Sequence, residues 1–218
     1  MHLVTRNRLH TLLVIITIAV TQSGCLGLVS NLLYTARGDL VPAEYEGLAE
    51  QRVAVIAVTD SSQYSDDIAA RMVSREISQI LSVEVEDIDV VREDEINDWR
   101  DNNSWDQVDF VTIGEGVKAD KVVAVELTGL KLRDGATLYR GQVSATTTVY
   151  DIATGKREFR RHIDDYSYPI TGGQYTSETT EPKFRRVFLH RLSGVLARYF
   201  HPYDFRDSVA GDAELLHL

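Results

Sequence analysis

Two apolar runs, Val53–Val58 (VAVIAV) and Val122–Leu127 (VVAVEL), constrain the fold of this chain more than any other feature. Each has the length of a strand. A strand with little polar alternation is one covered on both faces, as in parallel sheets crossed over by helices. The residues after the first run fit such a crossover. Ser65 is placed to cap a helix, with Asp66 and Asp67 in its first turn. Ala69, Met72, Val73, Ile77, Ile80 and Leu81 then recur at helical spacing.

The remaining elements follow from pattern. Val83–Val91 (VEVEDIDVV) predicts a strand whose alternating acids suit a sheet edge. Helices are expected over Arg92–Arg100 and Gln107–Lys118, the second with Val108, Val111 and Val117 inward, and Trp99 and Trp105 packed between them. A strand over Lys121–Leu132 turns at Arg133–Ala136 into a long strand, Leu138–Asp151. There Tyr139, Val143, Ala145, Thr147 and Val149 share one face, and Arg140, Gln142, Ser144, Thr146 and Thr148 the other. That alternation belongs to an antiparallel strand with one wet face. A turn at Ala153–Lys156 leads to a last strand, Arg157–Asp165. Tyr166–Glu181 reads as a loop, and a helix capped by Thr180, with Pro182 in its first turn, runs to Pro202.

The expected fold is α/β (α+β): a five-stranded mixed sheet, order 2-1-3-4-5, with helices chiefly on one face and right-handed crossovers. The chain of 218 residues suffices for one domain with a sizeable core.

The first 25 residues are of another kind. Arg6 and Arg8 precede a run from Leu12 to Val20 that is nearly all apolar, the order of a secretory signal. Ser23 and Gly24 then lead to Cys25, the one cysteine of the sequence. This stretch resembles the bacterial lipobox, with Gln22 where that pattern has an aliphatic residue. The resemblance implies cleavage between Gly24 and Cys25 and acylation of the Cys25 thiol by palmitate-type chains. Several such chains hold a protein stably at a membrane, where one does not. Two other readings stay open: Cys25 as an ordinary buried residue, and an uncleaved membrane helix, since Leu12–Ala36 carries no charge.

The expected organisation is a signal peptide over 1–24, a lipidated terminus and tether over 25–50, one domain over 51–204 and a tail over 205–218. The signal contains two arginines and no acid, so its removal takes the net charge from −10 to −12. Such a surface repels a phosphate backbone, and no nucleic-acid partner is expected. A chain with a single cysteine has no internal disulfide and no multi-cysteine metal site.

VAVIAVTD at Val53–Asp60, the helix after it, GEGVKADKVVAVEL at Gly114–Leu127 and the hairpin around YDIATGK at Tyr150–Lys156 together resemble the amino-terminal α/β domain of TolB and the domain of the curli-secretion lipoprotein CsgG. The resemblance covers about Arg52 to Tyr166. It implies an envelope location and a protein-binding role. The chain lacks the β-propeller of the first family and the extra length for pore-forming hairpins of the second.

No catalytic constellation is present: no GxGxxG, P-loop or GxSxG occurs. His190 and His201 stand about 16 Å apart along a helix and share no metal. His162, Asp164 and Asp165 are the nearest thing to a ligand cluster, and a solvated sheet face accounts for them. No catalytic residue, metal or cofactor is therefore expected. The loop Asp60–Ser65, with Asp60, Ser61 and Ser62, lies where open α/β sheets bind ligands. Lys183, Arg185, Arg186, Arg191 and Arg198 make the last helix basic; its charges are expected to pair with the acidic stretch Glu84–Asp98 or to meet a partner. Tyr166, Tyr168 and Tyr175, with Arg186 and Arg191, are the candidate partner-binding residues, tyrosine combining contact area with a polar end.

The expected function is that of an envelope-anchored lipoprotein acting as a non-enzymatic protein-binding or assembly module. Its partners are a membrane, through lipid on Cys25, and another envelope protein or a second copy. It faces the periplasm, and Leu26, giving no aspartate retention signal, favours the outer membrane. The alternatives are a component of an envelope transport or secretion complex, and a small-ligand sensor or enzyme using the Asp60 loop.

Overall fold

The computed structural model describes residues 40–60, 67–103 and 109–204. The first apolar run forms β2 (Arg52–Thr59), buried along nearly its whole length. It lies parallel to β4 (Lys121–Asp134), with Val53 opposite Lys121 and Thr59 opposite Leu127. β4, β5 (Leu138–Asp151) and β6 (Lys156–Tyr168) then form an antiparallel meander. A two-residue strand, β3 (Asp89–Val90), pairs in parallel with Arg52 and Val53. The sheet order is β3-β2-β4-β5-β6, as the pattern predicted, with β7 (Gln174–Tyr175) added against the start of β5.

Helices cover both faces rather than chiefly one. α1 (Ile68–Glu84) and α4 (Glu181–Ala197) pack Val73, Ile77, Leu81, Phe184, Phe188 and Leu192 against Val55, Val123 and Val149. α2 (Glu93–Asn102) and α3 (Phe110–Gly116) pack Ile96, Phe110 and Ile113 against Ala54, Ile56, Val122 and Ala124. This two-sided cover is why the runs in β2 and β4 lack alternation. α2 and α3 reach only as far as Tyr150 and Ile152 beyond β4. The same face of β5 is therefore wetter towards its start, where Gln142 is exposed and Ser144 and Thr146 are half-buried, while Thr148 is buried.

Close approach fixes where the helices sit. A Cβ on Gly141 of β5 would lie 2.1 Å from the Phe188 ring of α4. A Cβ on Gly116 would lie 1.9 Å from the indole of Trp99, which packs between α2 and α3 as expected. Trp105 falls outside the described residues.

Several element boundaries differ from the sequence reading. The α1 cap is Asp67, whose carboxylate accepts the Ala69 N–H at 2.7 Å; Ser65 lies outside the described residues. Val83 and Glu84 complete α1 instead of starting a strand, and Asp87, at φ 50°, turns the chain before β3. α3 is seven residues long, capped by Asp109, with Phe110 and Ile113 inward and Val111 only half-buried; Val108 is outside the described residues. β6 continues through Tyr168, so Tyr166–Tyr168 end a strand rather than open a loop. Thr180 occupies the N-cap of α4 without a side-chain bond, and Pro182 stands in its first turn.

Residues 40–50, expected in the tether, pack onto the domain. β1 (Leu40–Val41) pairs with β8 (Tyr203–Asp204) beyond α4. The N–H groups of Glu44 and Tyr45 both donate to Tyr199 O at 2.9 Å, and Leu48 is fully buried. The Tyr45 ring joins Phe159 and Phe200 in an aromatic cluster.

Candidate protein-binding groove

A cleft of about 950 Å³ among the described residues follows from the shortness of β3. Arg52 O accepts from Asp120 N–H, and Asp60 N–H donates to Leu127 O, so even-numbered residues of β2 bond towards β4. Gln51 O and Val53 O accept from Asp89 and Val91, so odd-numbered residues bond towards β3. Past Val53 no strand among the described residues continues on that side. The edge of Val55 and Ala57 therefore forms the floor of a groove between α1 and α2. Its walls carry Ser74, Ser78 and Gln79 from α1 and Ile96, Asn97 and Arg100 from α2. The Ser74 hydroxyl takes the Ala57 N–H at 2.8 Å, a side chain standing where a strand carbonyl would. An ion pair, Arg75 to Glu93 at 2.7 Å, links α1 to the start of α2.

At the carboxyl end of β2 the polar groups hold structure together. Asp60 accepts the Gly129 N–H at 2.8 Å, fixing the irregularity where β4 and β5 shift register. The Thr59 hydroxyl donates to Asp67 at 2.6 Å, tying the strand to the α1 cap. Ser61 and Ser62 lie outside the described residues.

A second cluster sits at the opposite end of the sheet. Lys121, 9% exposed, donates to Asp151 at 2.6 Å and Glu158 at 2.8 Å, and the Tyr45 hydroxyl donates to Glu158. Burial acts to lower the Lys121 pKa, but the two carboxylate bonds outweigh it and raise it. Hydrogen bonds from Lys121 and then Thr154 hold the Asp151 carboxyl down at about 2. Those from Lys121 and Tyr45 lower Glu158. Burial first, then the Glu158 bond, raises the Tyr45 hydroxyl. The cluster ties the incoming chain to three strands.

The candidate partner residues divide. Tyr166, Tyr168 and Arg191 meet around a hollow of about 220 Å³, with His190 and Arg198. The Tyr168 ring, 4% exposed, belongs to the core, and Tyr166 packs on Phe188. Tyr175, 56% exposed on β7, and Arg186, exposed on α4, do not line that hollow. Tyr166 and Tyr168 thus share one hollow, and Tyr175 stands apart.

Several acids of the stretch expected to pair with α4 bind elsewhere. Asp89 and Glu95 bind Arg52 at 2.7 and 2.6 Å, and Asp94 binds Arg92. Arg185 pairs with Glu181 in its own helix, and His190 with Glu76 of α1. His201, just beyond α4, lies 4.0 Å from Glu84. The acids lie at the β3 edge and on α2, across the sheet from α4.

His162 is exposed and shares a hydrogen bond with Thr146, 3.9 Å from Asp164. Among the described residues no group of three or more His, Cys, Asp or Glu side chains is placed to hold a metal. No described helix is long and apolar enough to cross a membrane. Gly24 and Cys25 lie outside the described residues. The groove itself had no local signal beyond Ser74, Ser78 and Ser82 on one side of α1.

No protein-family model and no curated protein matches this chain. Among solved structures, it is similar to the lipoprotein GNA1162 from Neisseria meningitidis, at 10% identity over 66% of this chain and 97% of that one, TM-score 0.42. A PelC dodecamer from Paraburkholderia phytofirmans is similar at 10% identity over 73% and 93%, TM-score 0.41. The C-terminal domain of LpoB from Salmonella enterica is similar at 13% identity over 63% and 93%, TM-score 0.37.

Proposed function

We propose that this chain is an envelope lipoprotein, anchored through acylated Cys25 and facing the periplasm, whose domain is a non-enzymatic module that binds an extended segment of another protein. The observation that carries the binding role is the bare edge of β2 in the groove, where Ser74 substitutes for a strand. A sheet edge of this kind accepts an added strand through main-chain bonds, and the flanking walls select its side chains. The position continues the line of β3, and Val55–Val58 of β2, about 13 Å, line it. The leader, with Gly24 and Cys25 at the cleavage site, supports the location.

The test is affinity capture from detergent extract with the full chain and with Ser78→Trp, which fills the groove from the α1 wall. Peptides from the captured protein, N-methylated at alternate amides, then report the bonding edge. Wild type is expected to retain the partner, Ser78→Trp to bind it at least tenfold more weakly, and only one N-methyl register to bind. Equal binding by Ser78→Trp, or indifference to N-methylation, rejects strand addition at β2.

A further inference from the structure

We infer that the amino-terminal half of β6 docks on anionic phospholipid headgroups, seating the domain on the membrane that holds its anchor; the inference rests on acylation of Cys25. β6 is the outer strand of the sheet, unpaired on its far side among the described residues. Its cations gather in the first half, interrupted there by Glu158. Lys156, Arg157 and Arg160 are exposed and form no ion pair with a described residue, whereas Asp164 and Asp165 occupy the other half. Three such cations on one edge are notable in a chain of net charge −10.

The incoming chain is strapped against this basic half. Glu44 pairs with Arg161, the Tyr45 hydroxyl with Glu158, and the Tyr45 ring packs on Phe159. Fourteen residues separate Cys25 from Leu40. Even fully extended they span only about 50 Å. That reach lets the Lys156–Arg161 end, against which Glu44 and Tyr45 are strapped, meet the lipid surface. Basic groups beside an acyl anchor supply a second membrane signal, screened by salt. Edge lysines and arginines also deter strand pairing, but that role does not require them to cluster where the tether arrives.

The experiment uses the full mature chain with Ala153→Cys at the β5–β6 turn, labelled with a fluorophore and reconstituted into vesicles carrying a headgroup quencher. Intact mass first establishes the acyl groups on Cys25. Quenching is expected to be several-fold stronger with phosphatidylglycerol than with phosphatidylcholine alone, and to fall to the neutral level in high salt. The triple variant Lys156→Glu, Arg157→Glu, Arg160→Glu should do the same, while Lys183→Glu with Arg186→Glu leaves it unchanged. Equal quenching in both lipids, or no effect of the triple variant, overturns the docking and leaves the anchor standing. A mature chain without acyl groups overturns both.

Discussion

Gly141 and Lys121 show how single side chains set this structure. Gly141 is needed because α4 lays the Phe188 ring directly on β5. Gly141→Ala places a methyl group against a fully buried ring, and we expect a loss of about 2–3 kcal/mol in urea unfolding. Lys121 works by charge. Asp151, held at about 2, has a lower pKa folded than unfolded, near 3.9. Its contribution is fully present above about pH 4 and is lost as the pH falls towards 2. The wild-type midpoint should therefore decline across that window. Lys121→Met should be less stable at neutral pH, because it strands Asp151 and Glu158, and should show a shallower decline in acid. A variant with an unchanged acid profile would contradict the assignment. Neither role was visible in sequence. Gly141 reads as one more strand residue, and Lys121 as the flank of a strand, until Asp151 and Glu158 arrive 30 and 37 residues later.

At the scale of elements, legibility followed burial. β2, β4 and β5 were read correctly because two-sided or alternating cover writes itself into residue type. β3 was over-read. Val83–Val91 alternates, but the alternation spans the last turn of α1, a reversal at Asp87 and only two strand residues. α3, two turns long, offers too few positions for periodicity, and its inward residue Phe110 was passed over for Val111. The α1 start moved to Asp67 because that carboxylate reaches both Ala69 N–H and the Thr59 hydroxyl. Asp67→Ala should therefore cost about 1–2 kcal/mol, more than Asp109→Ala at the short α3, whose carboxylate serves only its own helix. Parallel denaturation curves would show the order, and a reversed order would mean the Thr59 link carries nothing.

For the molecule as a whole, the groove is a product of topology. It exists because β3 stops early while α1 and α2 stand on opposite faces of β2, a relation no local pattern encodes. Of the candidate partner residues chosen from sequence, Tyr166, Tyr168 and Arg191 line one hollow, while Tyr175 and Arg186 lie apart from it for the complementary reason. Tyrosine is as useful inside a core as on a surface, and composition does not separate the two. The cations of β6, by contrast, stand plainly in the sequence, but their relation to the incoming chain needed the position of Glu44 and Tyr45.

The pairing of β1 with β8 brings the first and last described residues to one pole of the body. From that pole β4 runs fourteen residues, about 45 Å, to the reversal at Gly135. Leu40 and Asp204 thus sit side by side. The hairpin tip at Asp134–Thr137 is left as the outpost, the natural place to graft a reporter without disturbing the moorings.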